Sequence, residues 1–364
     1  MMPITELFFE NVWRQIPVAE DAAGVVTERW FEIAGLNLKL RFLGSALEAY
    51  ITPAIAHLEV AQPRDQADLV VHCWDCASLA VEFPRAPVCI EAFSPRGEIR
   101  GLNDCRFHAS FETGGRQLSV FDTRSRQAVY CVGVATDIPH YEIAEPIRAI
   151  LSWFMREHDR QLIHAAAVGN AQGGVLLIGQ SGAGKSNTAL GCIASSLQYA
   201  ADDFCAVSTA PIPIVYSIYC SGKTHIADWT RHGFLADLDP NFGPPGEKAI
   251  YYLNRKLCRK LILEFPLKAI LLPRRAGNIC EMRPVPPVAA LRMAAPDTAK
   301  LLPDAGAEVM RHIAHLVRTI PCYELLLGAI PERIPEVILT LLNRGAPATR
   351  CHNSENNVRI SSSG

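Results

Sequence analysis

The stretch GVLLIGQSGAGKSNTAL, residues 174–190, decides how the rest of the chain is read. Its apolar run, Val175 to Ile178, predicts a buried strand. The strand ends in the pattern G-x-x-x-x-G-K-S, with Gly179, Gly184, Lys185 and Ser186 at the fixed positions. From about Lys185 to Ser195 the spacing predicts a helix. Glycines let the backbone curl so that successive N–H groups point into one concavity, which suits phosphate oxygens. The helix that follows adds the positive end of its dipole. In such a loop the lysine reaches the β- and γ-phosphates and the serine hydroxyl ligates Mg²⁺. The expected nucleotide-binding residues are therefore Gly179, Gln180, Ser181, Gly182, Ala183, Gly184, Lys185, Ser186 and Asn187. The expected ligand is a nucleoside triphosphate with Mg²⁺, and Ser186 is on the metal.

At 364 residues the chain is long enough for two domains. Its 49% hydrophobic and 20% charged residues describe an ordinary folded protein. A formal charge of −2 argues against a strongly basic nucleic-acid binder. No apolar run approaches the ~20 residues that span a bilayer. The N-terminal MMPITELFFENVWRQIP lacks the basic, apolar and small-residue series of a signal peptide. The expectation is a cytoplasmic protein with no membrane or nucleic-acid partner; a homo-oligomer is left open. Of the twelve cysteines only Cys73 and Cys76, in HCWDC, are closely spaced. No second pair completes a zinc site, so they read as free thiols in a packed core.

Residues 1–155 read as a mixed α/β domain for substrate recognition or assembly, 156–345 as the catalytic domain, and 346–364 as a polar, disordered tail. In the first part, WFEIAGLNLKLRFL predicts two strands joined at Gly35-Leu36-Asn37. SALEAYITPAIAHL has helical spacing interrupted by Pro53. RFHASFE, the turn TGG, RQLSVFD and AVYCVGVA predict an antiparallel meander. EPIRAILSWFMREHD has helical spacing and is a candidate hinge into the second part. There QLIHAAAV and VLLIG read as adjacent strands about the turn GNAQGG, and LQYAADDFCAVS as a further strand region. Residues 209–260 have the Pro, Gly, Lys and aromatic content of irregular site segments. PPVAALRMA, AGAEVMRHIAHLVRTI and IPEVILTLLNR predict C-terminal helices.

Asp202 and Asp203, in AADDF, lie seventeen and eighteen residues after Lys185, an interval that suits one helix and a return strand. Phosphoryl transfer needs a carboxylate for Mg²⁺ and one to orient or deprotonate the attacking hydroxyl. On an extended strand adjacent residues point to opposite sides, so each aspartate could take one role; a solvated acidic turn is the competing reading. His164 falls on the expected neighbouring strand, fifteen residues before Gly179, where it is either structural or functional. Lys223, Lys248, Arg255 and Lys256 are candidates to balance charge on the transferring group. A solvated basic face is the alternative.

His164, GQSGAGKS and Asp202–Asp203 together resemble the catalytic domain of the HPr kinase/phosphorylase family, which carries a histidine, a Walker A loop and an ADD segment in this order and spacing. The resemblance covers residues 160–210. SGKTHIADW, EKAIYYL, AILLPRR and LVRTIPCYELLLG resemble the HPr-kinase-like proteins found beside asparagine-synthetase-like enzymes in lasso-peptide pathways, over most of the chain. The implied fold is an α/β P-loop kinase core of the HPr kinase/phosphoenolpyruvate carboxykinase type, preceded by a mixed α/β domain. The implied activity is a serine kinase acting on a peptide or small protein. Lys185 is implied on the β/γ-phosphates, His164 beside the transferring group, Asp202 as the base and Asp203 near the metal, the last two roles being exchangeable.

Two departures narrow this. Asn187 stands where the family carries a glutamate, removing a negative charge near the metal. After Asp203 no segment matches the glycine-rich signature of the bifunctional enzymes, which points to one-way transfer from ATP and away from HPr as substrate. A bifunctional HPr(Ser) kinase/phosphorylase, a carboxykinase and a nucleotide-binding regulator without chemistry are the alternatives.

Overall fold

The computed structural model describes residues 4–61, 66–87, 93–99, 101–112, 116–225, 233–277, 279–304, 306–328 and 330–344. The expected disordered tail, the TGG turn and the end of SGKTHIADW lie outside the described residues. The first half runs α1 (Ile4–Ala23), β1 (Val26–Ile33), β2 (Leu36–Leu43), α2 (Glu48–Ile55), β3 (Leu69–Asp75), α3 (Cys76–Leu79), β4 (Phe107–Glu112), β5 (Gln117–Asp122) and β6 (Gln127–Val132). Its six strands form one sheet in the order β1-β2-β3-β6-β5-β4.

β1 and β2 close about Ala34 and Gly35, with φ of 54° and 76°. The turn is thus one residue earlier than Gly35-Leu36-Asn37, because two left-handed central residues match the twist of a tight hairpin. The meander β4-β5-β6 is antiparallel as expected. β3 instead lies parallel to both neighbours, β2 and β6. A strand so enclosed is apolar almost throughout, which is why LVVHCWD shows no alternation; Cys73 and Cys76 are buried free thiols.

The second half runs α4 (Arg148–Glu157), β7 (Arg160–His164), β8 (Ala166–Asn170), β9 (Gly173–Leu177), α5 (Lys185–Cys192), β10 (Gln198–Ala201), β11 (Phe204–Ser208), β12 (Ile214–Ser217), β13 (Ser221–Thr224), β14 (Ala249–Tyr252), α6 (Asn254–Leu257), β15 (Glu264–Arg275), β16 (Glu281–Pro284), α7 (Pro287–Leu301), α8 (Ala307–Thr319), β17 (Cys322–Leu327) and α9 (Arg333–Arg344). Nine of these strands share a second sheet, with the path β10-β8-β9-β15-β12-β11-β7, β17 added beside β15 and β16 beside β17. β9, β15 and β17 run parallel, and the other pairings are antiparallel.

Two expected strands are each split in two. QLIHAAAV divides at Ala165 into β7 and β8, and LQYAADDFCAVS divides at Asp202–Asp203 into β10 and β11. The breaks lie side by side, since the Ala165 N–H donates to the Asp203 carbonyl at 2.9 Å. α4 is not an exposed hinge. Ala149 to Met155 are all buried, and Trp153 and Phe154 join Phe31, Tyr130, Ile163 and Leu176 in one continuous core shared by both sheets.

The β8–β9 hairpin reaches its tightest point at Gly169, opposite Gly174. A Cβ on Gly174 would stand 2.4 Å from the Val168 carbonyl oxygen and 2.5 Å from Phe265 Cε2. Gly174→Ala is therefore expected to cost about 1–3 kcal/mol, the usual penalty of overpacking. Equilibrium denaturant unfolding measures it, and an unchanged midpoint would contradict this account of the hairpin.

Candidate functional site

Strand direction brings the site together. β9 and β15 are parallel and end at Leu177 and Arg275, and ligands of such sheets lie outside the carboxyl ends of the strands. β8 is antiparallel to both β9 and β10, so Ala201 opposes Ala167 next to the Ala166–Leu177 pair. Asp202 and Asp203 therefore emerge beside the start of the phosphate loop. On the other side of the break, Phe204 opposes His164, which puts the end of β7 at the same place. His164 is not on the strand next to β9, as the sequence suggests; it reaches the loop through the jog shared by β7–β8 and β10–β11.

Gly184 has φ of 103° and immediately precedes α5, a backbone state that L side chains rarely adopt. The Lys185 Nζ donates to the carbonyls of Gly179 at 2.6 Å and Gln180 at 3.4 Å, placing the ammonium at the loop's mouth. Burial lowers its pKa, against the opposing pull of Asp203 and Asp202. Ser186 is buried and hydrogen-bonded with Asp202. Asn187 Oδ1 accepts from the Thr224 hydroxyl at 3.1 Å, a bond between α5 and β13.

The two aspartates differ in place and in charge. Neither lies on an extended strand: Asp203 has φ of 66°, and the chain turns there. The alternation argument therefore does not apply, and the turn does the separating. Asp202 is 1% exposed and accepts the backbone N–H of Asp203 at 3.1 Å and of Lys223 at 3.1 Å. Burial, then the neighbouring Asp203, push its carboxyl up to about 6. Asp203 faces the cleft, with Oδ1 3.5 Å from His164 Nε2 and Oδ2 paired with the Lys223 ammonium. Burial alone would raise its pKa, but Lys223 and His164 hold it well below the usual carboxylate range.

His164 is fixed by its own N–H, which donates to the Thr298 hydroxyl on α7 at 3.1 Å. Among the described residues its Nδ1 makes no hydrogen bond, and it lies 4.0 Å from Asp297 Oδ2. His164, Gly184, Lys185, Ser186 and Asp203 line one small cavity of about 190 Å³. A second, more apolar cavity of about 490 Å³ adjoins it, bordered by Gln180 to Ala183, Leu272 and Met293, and the two share Ser181, Gly182 and Arg275.

The cation candidates separate sharply. Lys248 lines the cavity beside the loop. Lys223 does not: its ammonium is buried between Asp203 and Glu145, which leaves it no charge to offer a phosphate. Arg255 stacks over Tyr252 and Lys256 bonds the Asp237 carbonyl, both away from the cleft. Sequence reasoning missed Arg275, His225 and Asp297. Arg275 closes AILLPRR at the carboxyl end of β15, and that position beside the loop strand was its only signal; Asp297 and His225 carried none.

A metal would be held by hard oxygens here. Among the described residues no group of three or more His, Cys, Asp or Glu could hold one. Mg²⁺ at phosphate sites commonly uses only one or two carboxylates plus substrate oxygens. The Ser186 hydroxyl in contact with the Asp202 carboxylate fits that donor set. Among the described residues no helix is long and apolar enough to cross a membrane.

No family model matches the sequence, and no curated protein matches it. Among solved structures the chain is similar to the Hpr(Ser) kinase/phosphatase from Coxiella burnetii, with 12% sequence identity and a TM-score of 0.28, over 50% of this chain and 95% of that one.

Proposed function

We propose that this protein is an ATP-dependent kinase that transfers the γ-phosphoryl group to a serine hydroxyl of a peptide or small protein, with the tailoring of a lasso peptide as the setting the sequence resemblance favours. One observation carries the reading: a phosphate loop, its lysine and serine, a histidine and an ionised aspartate line the same small cavity. The smaller cavity suits the phosphate chain, and the larger one leaves room beside it for a further part of a substrate.

The residues divide the work as follows. Backbone N–H groups of the loop and the Lys185 ammonium bind the β- and γ-phosphates. Ser186 and Asp202 would hold Mg²⁺, which when bound neutralises charge on the phosphates. Lys248 and Arg275 add positive charge on the open side of the cavity. Asp203 accepts the proton of the serine hydroxyl as its oxygen forms the new bond to the γ-phosphorus. The bond from that phosphorus to the β,γ-bridging oxygen breaks, and ADP carries the electron pair away. His164, 3.5 Å from Asp203, orients this carboxylate and adds a hydrogen bond at the transferring group. In this reading the sequence-based roles are exchanged: Asp203, which faces the cleft, is the base, and Asp202, against Ser186, serves the metal.

Mass spectrometry of serine-containing peptides incubated with Mg-ATP tests the proposal. The expected product carries one phosphate on serine, and ADP forms in equal amount. When phosphopeptide and inorganic phosphate are supplied instead, negligible pyrophosphate is expected. Rapid phosphate-dependent loss of the phosphoryl group would establish the bifunctional alternative, and ATP binding without turnover on any peptide would favour a regulator.

A further inference from the structure

The Lys223 ammonium is held by two carboxylates that are far apart in the sequence. One is Asp203, in the cleft. The other is Glu145, in the segment that joins the first sheet to α4. Glu145 is itself fixed by Arg148, whose Nη1 donates to Glu145 Oε2 at 2.7 Å while its Nη2 donates to Glu142 Oε1 at 2.9 Å. The backbone around Glu145 is tied to the catalytic side as well. The hydroxyls of Tyr252, Ser221 and Tyr219 donate to the carbonyls of Ile143 at 3.2 Å, Ala144 at 2.7 Å and Pro146 at 3.0 Å.

A buried ammonium is stable only where anions compensate it. Glu145 anchors Lys223, and neither lines the cavity, while the lysine occupies Oδ2 of Asp203. Oδ1 is left toward His164. The backbone N–H of Lys223 also holds Asp202 at 3.1 Å, so this residue contacts Asp203 through its ammonium and Asp202 through its main chain. Glu145 does not line the cavity, and Lys223 links it to Asp203.

We propose that Glu145 is a positioning residue of the site: by sharing the Lys223 ammonium with Asp203, it fixes the orientation of the carboxylate that meets the acceptor hydroxyl. The inference rests on reading the cleft as a phosphotransfer site. It makes the segment preceding α4 part of that site, so residues from about 160 onward would not carry full activity alone.

Peptide phosphorylation and direct titration with Mg-ATP, applied to Glu145→Gln and Glu145→Asp in the full chain, test it. Glu145→Gln is expected to lower kcat about 10- to 100-fold, the scale of a small misplacement of a reacting group. The Kd for Mg-ATP should stay within about threefold, since binding the nucleotide does not need this orientation. Glu145→Asp, which keeps the charge, should recover part of kcat. Removing one member of a buried ion pair strains the fold, so the double variant Glu145→Gln/Lys223→Met serves as a second measure. It should be no slower than Lys223→Met alone, because residues acting through one contact do not add. Unchanged kcat in Glu145→Gln, or a double variant whose loss is the product of the two single losses, would overturn the proposal.

A readout independent of turnover separates this inference from the kinase reading. In the wild-type chain the Lys223 ammonium should give a slowly exchanging ¹⁵N signal, assigned by its loss in Lys223→Met, and Glu145→Gln should abolish it. If the signal persists in Glu145→Gln, Glu145 does not hold the lysine. If it vanishes but the wild-type chain phosphorylates no peptide, the kinase reading fails and the positioning role fails with it, while the ion pair stands.

Discussion

Lys185→Ala is expected to lower phosphoryl transfer by about 10³-fold or more, since it removes the cation nearest the phosphates from a poorly hydrated site. The native ammonium is 6% exposed by residue and bonds the Gly179 and Gln180 carbonyls, so it is already held at the loop's mouth. The fold should survive. Among the described residues Lys185 hydrogen-bonds the Gly179 and Gln180 carbonyls, both within its own loop. Far-ultraviolet circular dichroism and a thermal melt would establish that the variant is folded, and radiolabelled γ-phosphate transfer would give the rate. Wild-type turnover in a folded Lys185→Ala chain would falsify the assignment of this loop as catalytic.

The aspartates provide the second large effect, and they should separate. Asp203→Asn is expected to reduce kcat by about 10²- to 10⁴-fold, the range of a lost general base, with Mg-ATP binding retained. An amide cannot accept the hydroxyl proton, and Glu145 still compensates Lys223 in this variant. Asp202→Asn should act on the metal instead, raising the Mg²⁺ needed for half-maximal activity, because Asp202 is hydrogen-bonded with Ser186. Initial rates over a Mg²⁺ series distinguish the two. Exchanged phenotypes would return the base to Asp202, as the sequence resemblance implies, and would leave the loop's role intact.

The division of roles between the two aspartates depends on a turn that strand periodicity does not reveal. AADDF reads as extended chain because its neighbours are apolar and β-prone, and on a strand the two carboxylates would point to opposite faces. In the fold the chain leaves one part of the sheet at Ala201 and rejoins another at Phe204, with Asp203 left-handed between them. The same jog splits QLIHAAAV. Neither break carries a glycine or proline, so no local signal marks it; the partners on each side decide it. Aspartate tolerates the left-handed state better than most residues, which is compatible with the jog and does not announce it.

What the sequence by itself determined is local. The strand, the phosphate loop and α5 follow from contiguous residues, and so do the meander, the C-terminal helices and the free thiols, because short-range periodicity and backbone freedom set them. The tertiary structure alone decided which charges face the cleft. Lys223 and Lys248 look alike in sequence, yet one is buried against Glu145 and Asp203 and the other borders the phosphate loop. Arg275 and Asp297 approach the site from β15 and α7, well over eighty residues beyond the loop. A side chain's charge acts over a few ångströms and is spent on whichever partner the fold supplies, so its role is a property of the assembled sheet and not of its own segment.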